Sequence, residues 1–455
     1  MNHATLILAA GKGTRMKSDL PKVLHSICGK PMIFFPMQLA HAVQSHQTIV
    51  VLGHEADRVE AALRSVAPGP FQVALQYEQR GTGHAVAQAL PLLDRAVEKA
   101  LILYGDAPLL RADALHALFA ASTGKKLAFL SATLQNPTGY GRVVRDPSTK
   151  DPMCIVEERD CTEAQRALQE VNAGVYVVER TFLQHAIAQL APNNNQGELY
   201  LTDLVAQAFA QRSVACVSVS SEEIQGVNDR VDLAHAARVI NQRVLHMHMR
   251  AGVTVINPEN VYCDVGVSIG PDTVIEPGVW LRGQTQIGSH CIVATGSILT
   301  DVSVGDRVVI KPYTVIAQSV LSDDVQIGPF SHVRPETHLE TGVRVGNFVE
   351  LKKTRMGNSS KANHLSYLGD ADIGQHVNIG CGTITCNYDG VHKHKTTILD
   401  GAFIGSDSQL VAPVTIGENA TVGAGTTVVQ DVPAGSLALS RVPQTHKSGY
   451  SKRKK

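Results

Sequence analysis

From residue 269 onward, aliphatic side chains return every sixth position. Ile269, Ile275, Leu281, Ile287, Val293 and Leu299 stand six apart. After a one-residue slip come Val304, Ile310 and Ile316, then Leu321, Ile327, Val333, Leu339, Val345 and Leu351. Ile373 and Ile379 follow, and then Ile404, Leu410, Ile416, Val422 and Val428. Four places after each sits a small or β-branched residue, with Arg355 the one exception. A helix repeats every 3.6 residues and a half-buried strand every two, so neither produces this beat. A hexad period predicts a parallel β-helix, in which each flat side of a coil takes one hexad and the aliphatic residue points inward. Such a coil buries its core only by stacking on its neighbours.

The beat fails between Leu351 and Ile373, and again between Thr383 and Ile404. Off-period insertions in solenoids map to loops on one face, often the binding face. The first gap holds Lys352, Arg355, Lys361, His364 and Tyr367; the second holds Asn387, Tyr388, Lys393 and Lys395. Both are therefore expected to leave the coil as polar, basic loops.

The first part of the chain has a different pattern. Apolar runs at Thr5–Leu8, Thr48–Leu52, Val73–Gln76, Ala100–Tyr104 and Val175–Val178 alternate with helix-like segments such as Pro31–Gln44 and Glu55–Ser65. That alternation predicts an α/β domain on a mostly parallel sheet. Leu233, Ala237, Ile240, Val244 and Met247 then recur at helical spacing. The expected division is a catalytic α/β domain over 1–230, a linker helix over 231–251 and a β-helix with a tail over 252–455.

The whole chain is 455 residues long, with 41 basic and 41 acidic side chains. A neutral balance gives no broad attraction to nucleic acid or membrane. The terminal run Lys452, Arg453, Lys454 and Lys455 reads as a solvated tail. Eight scattered cysteines without a CxxC pair suit reduced thiols. No run is long enough to span a bilayer, and Leu6–Ala10 is too short for a signal core. A cytoplasmic protein without an integral membrane segment is expected.

After the first strand comes Leu8-Ala9-Ala10-Gly11-Lys12-Gly13-Thr14-Arg15-Met16, followed by Pro21-Lys22. A glycine-rich turn leading from a strand into a helix offers backbone N–H groups to an anion, and Lys12, Arg15 and Lys22 could add charge. It is not a dinucleotide GxGxxG, because Met16 stands where the third glycine belongs, and it is not a Walker A loop. Further on stand Gln79-Arg80-Gly81-Thr82-Gly83-His84-Ala85 and Tyr104-Gly105-Asp106-Ala107-Pro108-Leu109.

Together these motifs resemble a sugar-1-phosphate nucleotidyltransferase. Joined to a left-handed hexapeptide β-helix, they resemble the bacterial family of bifunctional N-acetylglucosamine-1-phosphate uridyltransferase / glucosamine-1-phosphate acetyltransferases, over essentially the whole chain. The resemblance implies a Rossmann-like nucleotidyltransferase domain in which Leu8, Ala9, Ala10, Gly11 and Lys22 bind UTP and Gln76, Gly81 and Thr82 recognise uracil. It implies that Asp106, in Tyr104-Gly105-Asp106, holds Mg²⁺ with Asn228, and that Gly141, Glu157 and Asn172 hold N-acetylglucosamine-1-phosphate. A carboxylate and an amide oxygen are hard ligands suited to Mg²⁺, which bridges substrate phosphates. Read on their own, Asp106 could cap a helix, Asn228 could cap the linker helix, Lys22 could be a surface lysine, and Glu158 stands beside Glu157.

In the β-helix, the resemblance gives Arg334, Lys352, Tyr367, Asn378 and Lys393 to glucosamine-1-phosphate, with His364 as general base. It gives Cys381, Asn387, Tyr388, Ser406, Ala424 and Arg441 to acetyl-CoA, with Cys381 standing where the family often has alanine. An amine attacking a thioester must lose a proton, and an imidazole titrates in the right range to take it. Glu350 lies near in sequence and could orient His364. The resemblance further implies a homotrimer with sites between neighbours. Two rivals remain at this point: a single-activity nucleotidyltransferase whose β-helix only oligomerises, and a binding protein on a solenoid scaffold.

Overall fold

The computed structural model describes residues 2–450, so the basic run at 452–455 lies outside the described residues. Two compact units divide the chain, Met1–Ile240 and Asn241–Lys455.

The first unit is built on one mixed sheet. Its strands are β1 (His3–Leu8), β2 (Gln47–Leu52), β3 (Gln72–Leu75), β4 (Lys99–Tyr104), β5 (Leu127–Thr133), β6 (Glu170–Glu179) and β7 (Val214–Ser218). They lie in the order β7-β5-β6-β4-β1-β2-β3, and a hairpin of Arg142–Arg145 and Pro152–Val156 extends from β6. All neighbours on this path are parallel except β6, which runs antiparallel to both β4 and β5. Every residue of β1 is buried, which is why it reads as a continuous apolar run. Strand alternation sends Leu6, Ile49, Ile102 and Phe129 into one core, and Ile7, Val50, Leu101 and Leu130 into the other. Leu8 pairs with Tyr104 at the carboxyl ends of two adjacent parallel strands. Ligands of open α/β sheets bind at such strand ends.

The expected turn from β1 directly into a helix is not found. Residues 9–13 are followed by one 3₁₀ turn, Thr14–Met16, bounded by Gly13 (φ 62°) and Lys17 (φ 48°), both left-handed. Left-handed residues stop helix propagation, and the first α-helix begins only at Phe34.

A helix spans Arg230–Arg250. Asp229 caps it, its carboxylate accepting from the N–H groups of Val231 and Asp232, so Asn228 is free of that duty.

The second unit is a parallel β-helix of three sheets with 11, 10 and 9 strands. Each coil contributes one short strand per sheet. The inward column of the first sheet runs Ile275, Val293, Ile310, Ile327, Val345, Ala362, Ile379, Ile404 and Val422. That of the second runs Leu281, Leu299, Ile316, Val333, Leu351, Leu368, Thr385, Leu410 and Val428. Both columns are buried.

The first gap in the hexad beat is not a loop. Between Leu351 and Ile373 the coil continues, with Met356, Ala362 and Leu368 pointing inward at 0% exposure. Met356 and Ala362 fill inward positions that Leu, Ile or Val fill in most other coils. The slips have a structural location as well. Leu299–Val304, Ile316–Leu321, Leu351–Met356 and Leu368–Ile373 are five-residue sides, and all turn from the second sheet to the third. This also removes the Arg355 exception. The buried small residue sits two places before the next inward side chain, and on a five-residue side that position is Thr354, at 1% exposure. The second gap does leave the coil at the same corner, between strands Ile384–Cys386 and Thr396–Ile398. Tyr388 bridges Lys393 across that loop.

Candidate functional sites

At the carboxyl ends of β1 and β4 lies a cleft of about 390 Å³. Eleven of the residues expected to bind nucleotide and metal line it: Leu8, Ala9, Ala10, Gly11, Lys22, Gln76, Gly81, Thr82, Tyr104, Asp106 and Asn228. Gly105 sits just beneath, its N–H bonded to the Leu8 carbonyl at 2.9 Å, and a Cβ there would meet that of Ala9 at 3.0 Å. Gly81 has φ 99°, and a side chain on it would strike the Leu199 backbone at 2.7 Å. Glycine is therefore required for the backbone to pass. Gln76 is buried and donates to the Gly81 carbonyl at 3.2 Å, which fixes its amide at the cleft wall.

Four charged or polar groups converge in the cleft. Lys22 Nζ lies 2.5 Å from Asp106 Oδ2 and 3.4 Å from Asn228 Oδ1. Arg15 Nη2 donates to the same Asn228 oxygen at 2.8 Å. Two hard oxygens thus share one cation, which is the donor set a Mg²⁺ ion would use. Among the described residues no group of three or more His, Cys, Asp or Glu side chains is gathered for a metal, so the remaining ligands would have to be phosphate oxygens and water. Asp106 caps no helix; the next one starts after Arg111.

The expected sugar residues cluster beside Tyr104. The Asn172 N–H bonds the Gly141 carbonyl at 2.9 Å. A Cβ on Gly141 would come within 3.4 Å of the Glu157 carboxylate. Glu157 Oε1 accepts from the Thr202 hydroxyl at 3.2 Å, and burial pushes its carboxyl above the usual range. Glu158 is engaged elsewhere, paired with Arg142 at 2.7 Å. The Asn172 side chain bonds the Tyr176 hydroxyl and the Gly174 N–H. Tyr104 is half-buried near Glu157 and Asp106, and that desolvation raises its phenol.

In the β-helix one column carries four of the twelve residues expected at the second site. Asn347, His364, Cys381, Ser406 and Ala424 each lie two places past an inward residue of the first sheet, in five successive coils. His364 therefore belongs to a regular strand, Lys361–His364, rather than a loop. Its ring Nδ1 lies 3.1 Å from Asn347 Oδ1, in the coil below. An amide oxygen can only accept, so Nδ1 carries the proton and Nε2 keeps its lone pair for chemistry. Glu350 does not orient His364; it pairs with Arg334 at 2.9 Å. Asn347 takes that role, and the sequence signal for it was the column register, one coil of 17 residues before His364.

Arg334 and Lys352 occupy equivalent places in successive coils, one past Val333 and Leu351. Lys352 is 9% exposed and lies 3.5 Å from Asp370. Lys393, reaching in from the loop, is drawn below the usual lysine range by its contact with Lys352. Tyr367 stands on Glu350 in the strand ladder, and Asn378 on Lys361. Asn387 is buried at the foot of the loop, while Tyr388 is exposed and donates to the Gly390 carbonyl at 2.5 Å. Arg441 Nε donates to the Ala424 carbonyl at 3.0 Å.

Residues 5–189 match the MobA-like NTP transferase domain, and residues 395–430 match the bacterial transferase hexapeptide (six repeats). The chain is 51% identical to a bifunctional protein GlmU of Trichlorobacter lovleyi, over 99% of its own length and 98% of the relative's. It is 50% identical to that of Pelobacter propionicus, over 100% and 99%. Against that of Brevibacillus brevis it is 46% identical over 99% and 97%.

The chain belongs to the GlmU family. As a GlmU-family protein it is a bifunctional enzyme of UDP-N-acetylglucosamine synthesis, a uridylyltransferase and an N-acetyltransferase. The two site clusters fall one in each unit, as two activities on one chain require. Among the described residues no helix is long and apolar enough to cross a membrane. Arg15 and Gln79, whose amide donates to the Ala10 carbonyl at 2.6 Å, also line the nucleotide cleft of this GlmU-family chain. Both lay inside the motifs that first marked it.

Proposed function

We propose the following division of labour. Residues 252–455 acetylate glucosamine-1-phosphate from acetyl-CoA, residues 1–230 then transfer UMP from UTP to N-acetylglucosamine-1-phosphate, and 231–251 link the two. The observation that carries the acetyl-transfer half is the His364–Asn347 hydrogen bond, which leaves His364 Nε2 free as a base. His364 takes a proton from the sugar's neutral amine as that nitrogen adds to the thioester carbonyl. The tetrahedral adduct collapses to the amide with loss of the C–S bond, and the imidazolium returns the proton to the departing CoA sulfur. Arg334, Lys352 and Lys393 hold the sugar phosphate as charge-assisted partners, with Tyr367 and Asn378 along the sugar. Cys381, Ser406 and Ala424 continue the His364 column along the coils, and with Asn387, Tyr388 and Arg441 they hold acetyl-CoA.

In the first unit Leu8 to Gly11 and Lys22 bind UTP, Gln76, Gly81 and Thr82 read the uracil, and Gly141, Glu157 and Asn172 hold the sugar. A sugar-phosphate oxygen attacks the α-phosphorus in line and pyrophosphate leaves, a reaction that needs alignment and charge neutralisation more than a protein nucleophile. Asp106 and Asn228 are the oxygens that would hold Mg²⁺, which supplies charge neutralisation at the phosphates when bound.

The active form is proposed to be a cytoplasmic homotrimer. Tyr313, Phe330 and Phe348 stack at 5.4 and 5.5 Å, and each is about half exposed. An apolar ladder of that kind on a single chain supports burial against another copy. The test is a coupled reaction from glucosamine-1-phosphate, acetyl-CoA and UTP, with the product identified by mass. His364→Ala should stop acetyl transfer and leave uridylyl transfer. Unchanged acetyl transfer would remove His364 as the base.

A further inference from the structure

The loop over 387–395 leaves the coil at Asn387 and rejoins it at Thr396, and both ends are tied to one residue, Asp370. Asp370 sits directly one coil below, two places past inward Leu368 as Asn387 is two past Thr385. The Asn387 side-chain amide donates to Asp370 Oδ2. The Thr396 N–H donates to the Asp370 carbonyl at 3.1 Å. Below, the Asp370 N–H donates to the Lys352 carbonyl at 2.9 Å, and Lys352 Nζ lies 3.5 Å from the same Oδ2 that takes Asn387. Asp370 also has φ 49°, a left-handed corner that aspartate and asparagine tolerate better than most side chains.

A half-buried carboxylate so placed does two things. It closes the neck of a loop whose other side-chain tie to the coil is the exposed Lys395–Asp372 pair at 2.9 Å, while Tyr388 bonds within the loop and His394 pairs with Asp389 at 2.7 Å. It also places a negative charge near two lysines, Lys352 from the coil and Lys393 from the loop. Without it, those ammonium groups repel and the loop carrying Lys393 is pushed off the coil.

We propose that Asp370 is a positioning residue for acetyl transfer: its carboxylate clasps the loop at Asn387 and, through the same oxygen, holds Lys352, so that the acetyl-CoA loop and the lysine pair adopt one shared geometry. This rests on the reading that Lys352 and Lys393 take the sugar phosphate and Asn387 takes acetyl-CoA. The residue does not itself touch the reacting atoms.

The test compares Asp370→Ala and Asp370→Asn in the full chain, with the thermal melt of the β-helix as the control for its folding and uridylyl transfer as the control for the first unit. Tryptic cleavage after Lys393 and Lys395 reads the clasp without any substrate. Asp370→Ala should speed that cleavage about tenfold or more and raise the acetyl-CoA KM by about tenfold, the order expected for losing one half-buried charge-assisted bond. Asp370→Asn keeps an acceptor oxygen and a residue suited to the left-handed corner. It should hold cleavage and the acetyl-CoA KM within about threefold of the parent, while the glucosamine-1-phosphate KM changes because Lys352 has lost its counter-charge. An Asp370→Ala protein with intact uridylyl transfer, unchanged cleavage and unchanged acetyl-CoA KM overturns the proposal. So does a loss of kcat alone, equal in the two variants, which would mark a purely structural residue. Acetyl transfer that survives His364→Ala would remove the site assignment instead, and the cleavage rates would still decide the clasp.

Discussion

The Lys22 ammonium lies 2.5 Å from the Asp106 carboxylate, and the same nitrogen reaches the Asn228 amide oxygen at 3.4 Å. Lys22 thus occupies, in the free chain, the oxygens that a divalent cation would need. On the proposed reading, nucleotide phosphates would draw the ammonium away and release the two oxygens together.

Lys22→Met is therefore expected to act in opposite directions on two measurements. Uridylyl transfer should fall by roughly a hundredfold, the scale of losing one preorganised charge at a developing anion. Binding of Mn²⁺ without nucleotide, read by calorimetry, should tighten, because the competing ammonium is gone. Weaker Mn²⁺ binding in Lys22→Met would mean that the lysine organises the oxygens rather than competing for them.

The His364–Asn347 pair gives a graded prediction. His364→Ala should cost about 10²- to 10⁴-fold in acetyl transfer, the range of a general base. Asn347→Ala leaves the ring present but free to rotate and to change tautomer, so kcat should fall by about tenfold with the KM of both substrates unchanged. Steady-state kinetics with each substrate varied in turn checks this. A rise in KM without loss of kcat would place Asn347 in binding instead.

Much of this arrangement was legible in the sequence, and the failures have a common cause. The hexad beat gave the prism because an inward slot accepts few side chains. It broke where Met356, Ala362 and Thr385 fill the slot, all at 0% exposure, with the Thr385 hydroxyl satisfied by the Gly369 carbonyl. The five-residue sides were invisible for a related reason: counting four places forward from Leu351 reaches exposed Arg355, whereas counting two back from Met356 reaches buried Thr354. His364 was found through its motif. Its partner Asn347 was not, because a neighbour in the next coil is distant in sequence and only the register brings them together. Glu350, close in sequence, was drawn to Arg334 for the same reason of register.

Glu157 predicts a pH effect on stability. Burial raises its carboxyl above the ordinary value of 4.5. A raised carboxyl holds its proton more tightly folded than unfolded, so stability is gained as pH falls and lost as pH rises from about 4.5 through the raised folded value. Glu157→Gln removes this dependence while keeping an oxygen to accept from Thr202. Its melting temperature should exceed that of the parent by most at pH 8 and by least near pH 4.5, with a raised KM for N-acetylglucosamine-1-phosphate. A constant difference across that range would assign the effect to packing.

Gly346 provides the sharpest test of how the prism supports the base. It precedes Asn347, and the strand above it carries Asn363 and His364. A Cβ at Gly346 would fall 1.8 Å from the Asn363 carbonyl oxygen, an approach that no rotamer change relieves because both atoms belong to backbone or its first branch. Gly346→Ala must therefore push the two coils apart locally, and the displacement is felt first by the peptide that aims His364. The barrier rises steeply with sub-ångström misplacement of a catalytic group. Acetyl transfer should drop by at least about tenfold, and thermal stability by the 1–3 kcal/mol typical of overpacking. Uridylyl transfer should be unaffected, since the first unit has its own core. The control is Gly390→Ala in the loop, where nothing lies within 4 Å of the added methyl, although its left-handed φ of 103° makes that change locally strained as well. If Gly346→Ala loses no more acetyl transfer than Gly390→Ala, the coil contact beneath His364 does not set its position.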